Sequence, residues 1–287
     1  MELIVLIVVL IVAFLVTYMA QKEKQHTIKI IKKAQLEFDL ENYLKSIELY
    51  EKAINRDRKN FLLYYESGVT KMVLKDYNGA ISTFSKAIKI NPNFDPPYLQ
   101  RARALIEIGN YKKALEDCNQ VINTKTNDLV PFWAYLIRGS VFIHLQKYDR
   151  ALYEFELAFQ IKPDFPLIYS CKAEAYCYLG RYETAFEYAQ KAQELDRDFH
   201  LNILWEGWAN YGLSKLEEAL DCCNRYLEKD DKNPKAFEIR GLIYKENKQY
   251  DDALKDLKLS ASLYKEMKLT SFYKEVCKYI QEITEII

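Results

Sequence analysis

Three histidines (His26, His144, His200) and six cysteines (Cys118, Cys171, Cys177, Cys222, Cys223, Cys277) are the side chains of this 287-residue chain most suited to nucleophilic, acid–base or metal chemistry. Such chemistry needs them in sets, with a nucleophile beside a base or several ligands at short spacing. The histidines are widely separated, and no two cysteines have the C-x-x-C spacing. All six cysteines fall inside helical patterns, where the residue serves as a small apolar packing group. Unpaired thiols of this kind suit a reducing compartment. Adjacent carboxylates such as Asp251 and Asp252 read as solvated positions in turns between helices. There is no glycine-rich phosphate loop and no nucleophile elbow. The expectation is a chain with no catalytic, cofactor or metal site.

The elements that carry these residues are helical. Eight Gly and seven Pro among 287 residues are too few for the turns of an all-β protein. Apolar residues make up 49% and charged residues 29%, which excludes both a disordered chain and an all-apolar membrane bundle. Lys and Arg number 41, as do Asp and Glu, so the formal net charge is zero. A nucleic-acid binder normally carries a basic excess or stripe, and none is seen. Instead both signs alternate along helix faces, the pattern of a solvated surface.

The amino-terminal segment differs from the rest. From Leu3 to Ala20 it is apolar except for Thr17 and the amphipathic Tyr18. As a helix this stretch would be about 27 Å long, close to the thickness of a bilayer's hydrocarbon core. A cleaved signal peptide wants positive charge ahead of its apolar run and small residues at the cut. Here Glu2 precedes the run, and Thr17-Tyr18-Met19-Ala20 lacks the small residue three places before a cut. The favoured reading is one retained transmembrane helix over residues 1–21; cleavage near Ala20, with export of the remainder, is the alternative. Lys22, Lys24, Lys29, Lys32 and Lys33 follow the span, so the positive-inside rule places residue 21 onward in the cytoplasm. These lysines are also placed to touch anionic headgroups.

Beyond the anchor, a small residue recurs at Ser46, Ala80, Ala114, Ala151, Ala185, Ala219 and Ala253, at a period of 34 residues broken once by 37. From Phe61, the positions Tyr64, Gly68, Tyr77, Ala80, Phe84, Ala87 and Pro92 form one pattern. From Phe132, Tyr135, Gly139, Tyr148, Ala151, Phe155, Ala158 and Pro163 repeat it. This resembles the tetratricopeptide repeat family, whose units are helix–turn–helix pairs of 34 residues. The resemblance covers residues 27 to about 260. It implies an all-α, right-handed solenoid of about seven repeats: 27–60, 61–94, 95–128, 132–165, 166–199, 200–233 and 234–267. Small residues let the two helices of a pair approach closely. The tyrosines after the inner turn pack a ring while keeping the hydroxyl near polar partners, and Pro92 and Pro163 close the second helix. The first repeat is degenerate, and the three extra residues near 124–131 read as a longer loop. Phe272, Val276, Tyr279, Ile280 and Ile283 recur at helical spacing within 268–287, as a helix capping the array would require. Its apolar end, Ile286 and Ile287, is a second candidate surface for a partner.

The resemblance also implies a groove lined by the first helix of each repeat. The residues it places there are Leu62, Tyr65 and Val69; Leu99 and Arg103; Trp133, Leu136 and Ile137; Glu174; and Leu204, Trp205 and Trp208. All three tryptophans are in this set, and Trp and Arg are enriched among interface hot spots. Some of these rings are equally suited to packing against a neighbouring helix. Relatives that clamp acidic heat-shock tails need cations and amides at set positions, where this chain has Ile31, Gln35, Glu66, Pro96 and Gln100. The expected ligand is therefore a protein segment with apolar side chains, as an amphipathic helix or an extended strand. The implied role is a membrane-anchored interaction scaffold, with a chaperone-like or import receptor as the alternative.

Overall fold

A computed structural model describes residues 2–124, 130–197 and 199–287, with the side chains of 2–13, 20 and 130 outside the description. Fifteen helices and no strand are found among the described residues. The helices form two compact units, residues 1–104 and 105–287.

The first unit contains α1 (Glu2–Asp39), α2 (Tyr43–Arg56), α3 (Phe61–Val73) and α4 (Tyr77–Ile90). Helix α5 (Pro96–Glu107) leads from this unit into the second. The second unit continues with α6 (Tyr111–Thr124), α7 (Val130–His144), α8 (Tyr148–Ile161), α9 (Pro166–Tyr178) and α10 (Tyr182–Leu195). It ends with α11 (Leu201–Gly212), α12 (Leu216–Leu227), α13 (Pro234–Glu246), α14 (Tyr250–Glu266) and α15 (Thr270–Thr284). The loop expected near 124–131 falls mainly on 125–129, outside the described residues.

The turn inside each helix pair repeats in backbone terms. A positive φ occurs at Glu41, Lys75, Gly109, Gln146, Gly180, Ser214 and Lys248, so successive gaps are 34, 34, 37, 34, 34 and 34 residues. Glycine takes this conformation without steric cost, and five other side chains accept it because the packed pair holds them there. Two residues later the second helix begins, at a tyrosine in α2, α4, α6, α8, α10 and α14 and at Leu216 in α12. Asp76 helps at one such turn by accepting from the Gly79 N–H at 3.0 Å. Asp251 and Asp252 are exposed in the first turn of α14, where negative charge complements the helix dipole.

Close approach of the two helices explains the small residues. Ala80, Ala114, Ala151, Ala185, Ala219 and Ala253 have no exposed surface. Ser46, also fully buried, uses its hydroxyl to donate to the Ala34 carbonyl at 2.9 Å, so a polar group is tolerated there. Across each pair a glycine or alanine faces the second helix. A Cβ on Gly139 would lie 2.2 Å from Phe155, and one on Gly68 would lie 2.5 Å from Phe84. Both rings are fully buried.

Polar links recur at one register. In α13, Arg240 grips the Asp256 carboxylate of α14 at 2.6 and 3.0 Å and donates to Asn224 of α12 at 2.9 Å. In α7, Arg138 likewise binds Glu154 of α8 at 2.8 Å and Asn119 of α6 at 2.7 Å. In α9 the same place holds Lys172, paired with Glu156 of α8 at 2.6 Å and lying over the Tyr188 ring. One cation thus ties a first helix both to its own second helix and to the preceding pair. The geometry satisfies the nearly buried Glu154 and Asp256 carboxylates, which would be costly unpaired.

The amino-terminal expectation changes here. No helix end falls at residue 21: α1 runs unbroken from Glu2 to Asp39, joining the apolar run to the first repeat. Among the described residues, no helix is long and apolar enough to cross a membrane. The expected span, 3–20, falls largely on residues whose side chains are outside the description.

Because Phe155 has no free space beside it, Gly139→Leu must force the α7–α8 pair apart. The expected loss is about 2–3 kcal/mol, measured as a lowered midpoint in urea unfolding followed by circular dichroism. A change below about 0.5 kcal/mol would show that the ring can move aside.

Candidate functional site

The first helices of successive repeats pack beside one another in the second unit, with α9 against α7 and α11, and α11 against α13. They form a face on which the expected groove residues divide into three groups. Leu204 is fully buried and Leu136 nearly so, and both belong to the core. Trp205 is 9% exposed, held 6.1 Å from the Trp208 ring, and its carbonyl accepts from the Cys177 thiol. Trp133 is 44% exposed, edge-on to Phe132 and Phe165, with half-buried Ile137 one turn along.

In the first unit, Leu62 on α3 is 46% exposed at the repeat position that Trp133 occupies on α7. Tyr65 is partly buried between the rings of Phe84 and Phe94, and Val69 lies one turn further, also partly buried. On α5, Leu99 is partly buried and Arg103 is exposed, donating to Gln100 at 3.4 Å. Glu66, on the same helix as Leu62, is held above the ordinary carboxylate range by burial.

The remaining two expected residues, Glu174 and Trp208, lead to a cluster that the sequence reading did not find. Lys235, 5% exposed on α13, bonds Glu238 at 2.7 Å. Its ammonium lies 4.4 Å from the Trp208 ring centre, 5.0 Å from Tyr178 and 5.5 Å from Phe272. Three aromatic faces and one carboxylate replace the water a buried ammonium loses. Glu238 also accepts from the Tyr264 hydroxyl at 2.8 Å. Tyr178 stacks on Tyr148 at 4.8 Å and meets Trp208 edge-on at 4.6 Å. The cluster thus draws on α8, α9, α11, α13, α14 and α15. Its one legible sign in the sequence is Lys235 itself, a lysine at the position where Leu62 and Trp133 are apolar.

Glu174, on α9, makes no hydrogen bond or ion pair among the described residues. Burial raises its pKa to about 7, with Lys235 acting in the opposite direction. The cluster's tyrosines, Tyr178 and Tyr264, are pushed well above their ordinary range by burial and stay protonated. The thiols of Cys118, Cys171, Cys177, Cys222 and Cys223 are all pushed up by burial, which suits packing and not nucleophilic attack. His144 stacks on Tyr111 at 5.6 Å, and burial holds its pKa near 4, so it is neutral at physiological pH.

Glu174 binds its proton more tightly in the folded than in the unfolded chain. Stability is therefore fullest below the ordinary carboxylate range, falls as pH rises from there through about 7, and loses nothing more above it. Glu174→Gln is expected to flatten this dependence and raise stability at pH 8 by about 1–3 kcal/mol, read from urea midpoints at pH 5 and pH 8. Parallel pH dependence in both proteins would remove Glu174 as its source.

Comparisons with known proteins agree with this architecture. Models of the tetratricopeptide repeat match residues 30–60, 71–134 and 169–199. Hsp70-Hsp90 organizing protein 3 of Arabidopsis thaliana is 25% identical over 228 residues, 75% of this chain and 39% of that protein. The Hsp70-Hsp90 organizing protein of Triticum aestivum is 29% identical over 175 residues, 61% of this chain and 28% of that protein. The chain therefore spans less than two fifths of the length of either relative. A tetratricopeptide repeat protein from Parabacteroides merdae shares the fold, with a TM-score of 0.68 and 17% identity, over 88% of this chain and 99% of that one. Three stretches of the chain thus match tetratricopeptide repeats by sequence, and its all-α fold is that of a solved repeat protein.

Proposed function

We propose that this protein is a membrane-anchored scaffold that holds a partner protein on the face formed by the first helices of its repeats. The observation that carries the reading is one exposed apolar side chain in each unit by itself, Leu62 in the first and Trp133 in the second. Each is close to half exposed at the same position of its repeat. Tyr65, Val69, Leu99 and Arg103 extend this surface in the first unit, and Leu136 and Ile137 back Trp133 in the second. Exposed tryptophan gives much contact area for little ordering cost, which suits a hot spot.

The partner presents apolar side chains and not an acidic tail. A carboxylate clamp needs cations to offset the desolvation of its ligand. Glu66 stands at one of the positions that would need to attract the tail, with Ile31, Gln35, Pro96 and Gln100 at the others. The likeness to Hsp70-Hsp90 organizing proteins favours a second reading, a chaperone-like or import receptor that holds apolar client segments on the same face.

The anchor rests on the apolar run 3–20, the helical backbone of α1 through it, and the lysines that follow. In this reading the lysines after the run favour a single-pass orientation with the repeats on the cytoplasmic side, by the positive-inside rule.

A photoreactive side chain at position 133 or 62 is expected to yield one discrete adduct in cells. The same probe at Tyr153, exposed on the second helix α8, should yield none. A broad smear from position 133 supports the receptor reading, and equal adducts from 153 remove the face. For the anchor, the full chain is expected to float with membranes after alkaline extraction, with its repeats digested by protease added to the cytoplasmic side. Release into the alkaline supernatant, or repeats shielded from that protease, would overturn the assignment.

A further inference from the structure

The junction of the apolar run with the first helix pair holds an open cavity of about 350 Å³, at the small end of the range for ligand sites. Helices α1 and α2 run antiparallel: Asn42 bonds Glu37, Ser46 bonds Ala34 and Arg56 bonds Glu23, so one number falls as the other rises. The end of α2 is thereby brought back beside the stretch of α1 that directly follows residues 3–20. Met19, Lys22, Glu23, His26 and Lys29 line the cavity from α1, and Arg56 lines it from α2. Arg56 donates to Glu23 at 2.5 Å, which orients the guanidinium and leaves its other N–H groups for a ligand. The side chains of Lys22, His26 and Lys29 make no hydrogen bond or ion pair among the described residues. With Lys22, Lys29 and Arg56 set against Glu23, the lining is positive. Met19, at the end nearest the run, is 59% exposed.

We propose that this cavity binds the phosphate of an anionic phospholipid headgroup. The proposal rests on the anchor reading and adds the lipid class. Depth along the helix supports it. Because α1 is unbroken, Lys22 lies about 3 Å, His26 about 9 Å and Lys29 about 13 Å beyond residue 20. The headgroup layer is about 5–8 Å thick on each side of the hydrocarbon. Side chains on a helix lean toward its amino terminus, so Lys29 and His26 reach back toward that layer. Lys22, Lys29 and the oriented Arg56 then supply charge-assisted hydrogen bonds to the phosphate oxygens. Met19 offers an apolar edge to the lipid's glycerol and acyl groups, which a free phosphate would leave unused. The same cations repel the quaternary ammonium of a zwitterionic choline headgroup. An ordinary basic flank after a membrane span needs no contribution from the repeats, whereas here Arg56 comes from α2. Lys24 and Lys32, also exposed on α1, lie outside the lining.

The test reconstitutes the full-length chain into phosphatidylcholine nanodiscs carrying a photoactivatable phosphatidylglycerol or, in parallel, a photoactivatable phosphatidylcholine. The unmutated chain is expected to capture the phosphatidylglycerol probe about fivefold or more over the phosphatidylcholine probe. Lys22→Gln/Lys29→Gln, and separately Arg56→Gln, should lose most of that preference. Lys24→Gln/Lys32→Gln removes the same charge as the first pair from outside the cavity and should keep it. Equal losses from the two lysine pairs would mean diffuse attraction to the surface and overturn the site, as would an Arg56→Gln chain with its preference intact. Excess glycerol 3-phosphate that abolishes capture would assign the cavity to a soluble phosphate compound and overturn the lipid. A chain that enters the nanodiscs without preferring phosphatidylglycerol overturns the site and leaves the anchor standing. A chain that enters neither nanodisc overturns both.

Discussion

The close approach of the two helices in each repeat is the constraint on which the rest of the structure depends. Alanine on the second helix is fully buried in six repeats, and glycines on the first helix sit where a single added carbon would overlap a buried ring. At that separation the intervening turn has little choice of path, and it adopts a positive φ even where the residue is Glu, Lys, Gln or Ser. The backbone cost is met by packing, since each pair buries an aromatic or aliphatic side chain against the small residue opposite.

Once the pairs are formed, a second requirement follows from their stacking. Each first helix lies between its own second helix and the one before, and carboxylates and amides are caught in that space. The bridging cations Arg138, Lys172 and Arg240 satisfy them from one register position. At the carboxyl end of the second unit the same problem is solved differently. Lys235 enters an aromatic enclosure, Glu238 and Tyr264 complete it, and α15 supplies the third ring through Phe272.

The balance of charge at this cluster also shapes its response to pH. Glu174 has no hydrogen-bond or ion-pair partner among the described residues, and its ionisation adds a second carboxylate near a single ammonium. Burial, and after it the negative charges of Glu275, Glu174 and Glu238, push the Tyr148 hydroxyl up to about 12.

The repeats themselves were legible in the sequence because their signal is additive. A single small residue says little, but Ala80, Ala114, Ala151 and their equivalents recur at a spacing that only a repeated helix pair requires. The tyrosines that open the second helices, and the helical stripe from Phe272 to Ile283, were legible for the same reason, since local periodicity follows from which side of a helix is buried. The candidate face was only partly legible. Among the residues expected to line it, Leu62 and Trp133 are exposed and Leu136 and Leu204 are buried in the core, because one position on a helix differs in exposure by small rotations that sequence does not encode. Lys235 with Tyr178, Trp208 and Phe272 was beyond reach, since these residues lie up to about a hundred positions apart and meet only through long-range packing. Sequence determined the helices, their pairing and their small-residue contacts, all of them local or periodic. Tertiary structure decided which side chains stayed exposed, which cations bridged the stack, and where the last helix came to rest, because each depends on neighbours far away along the chain.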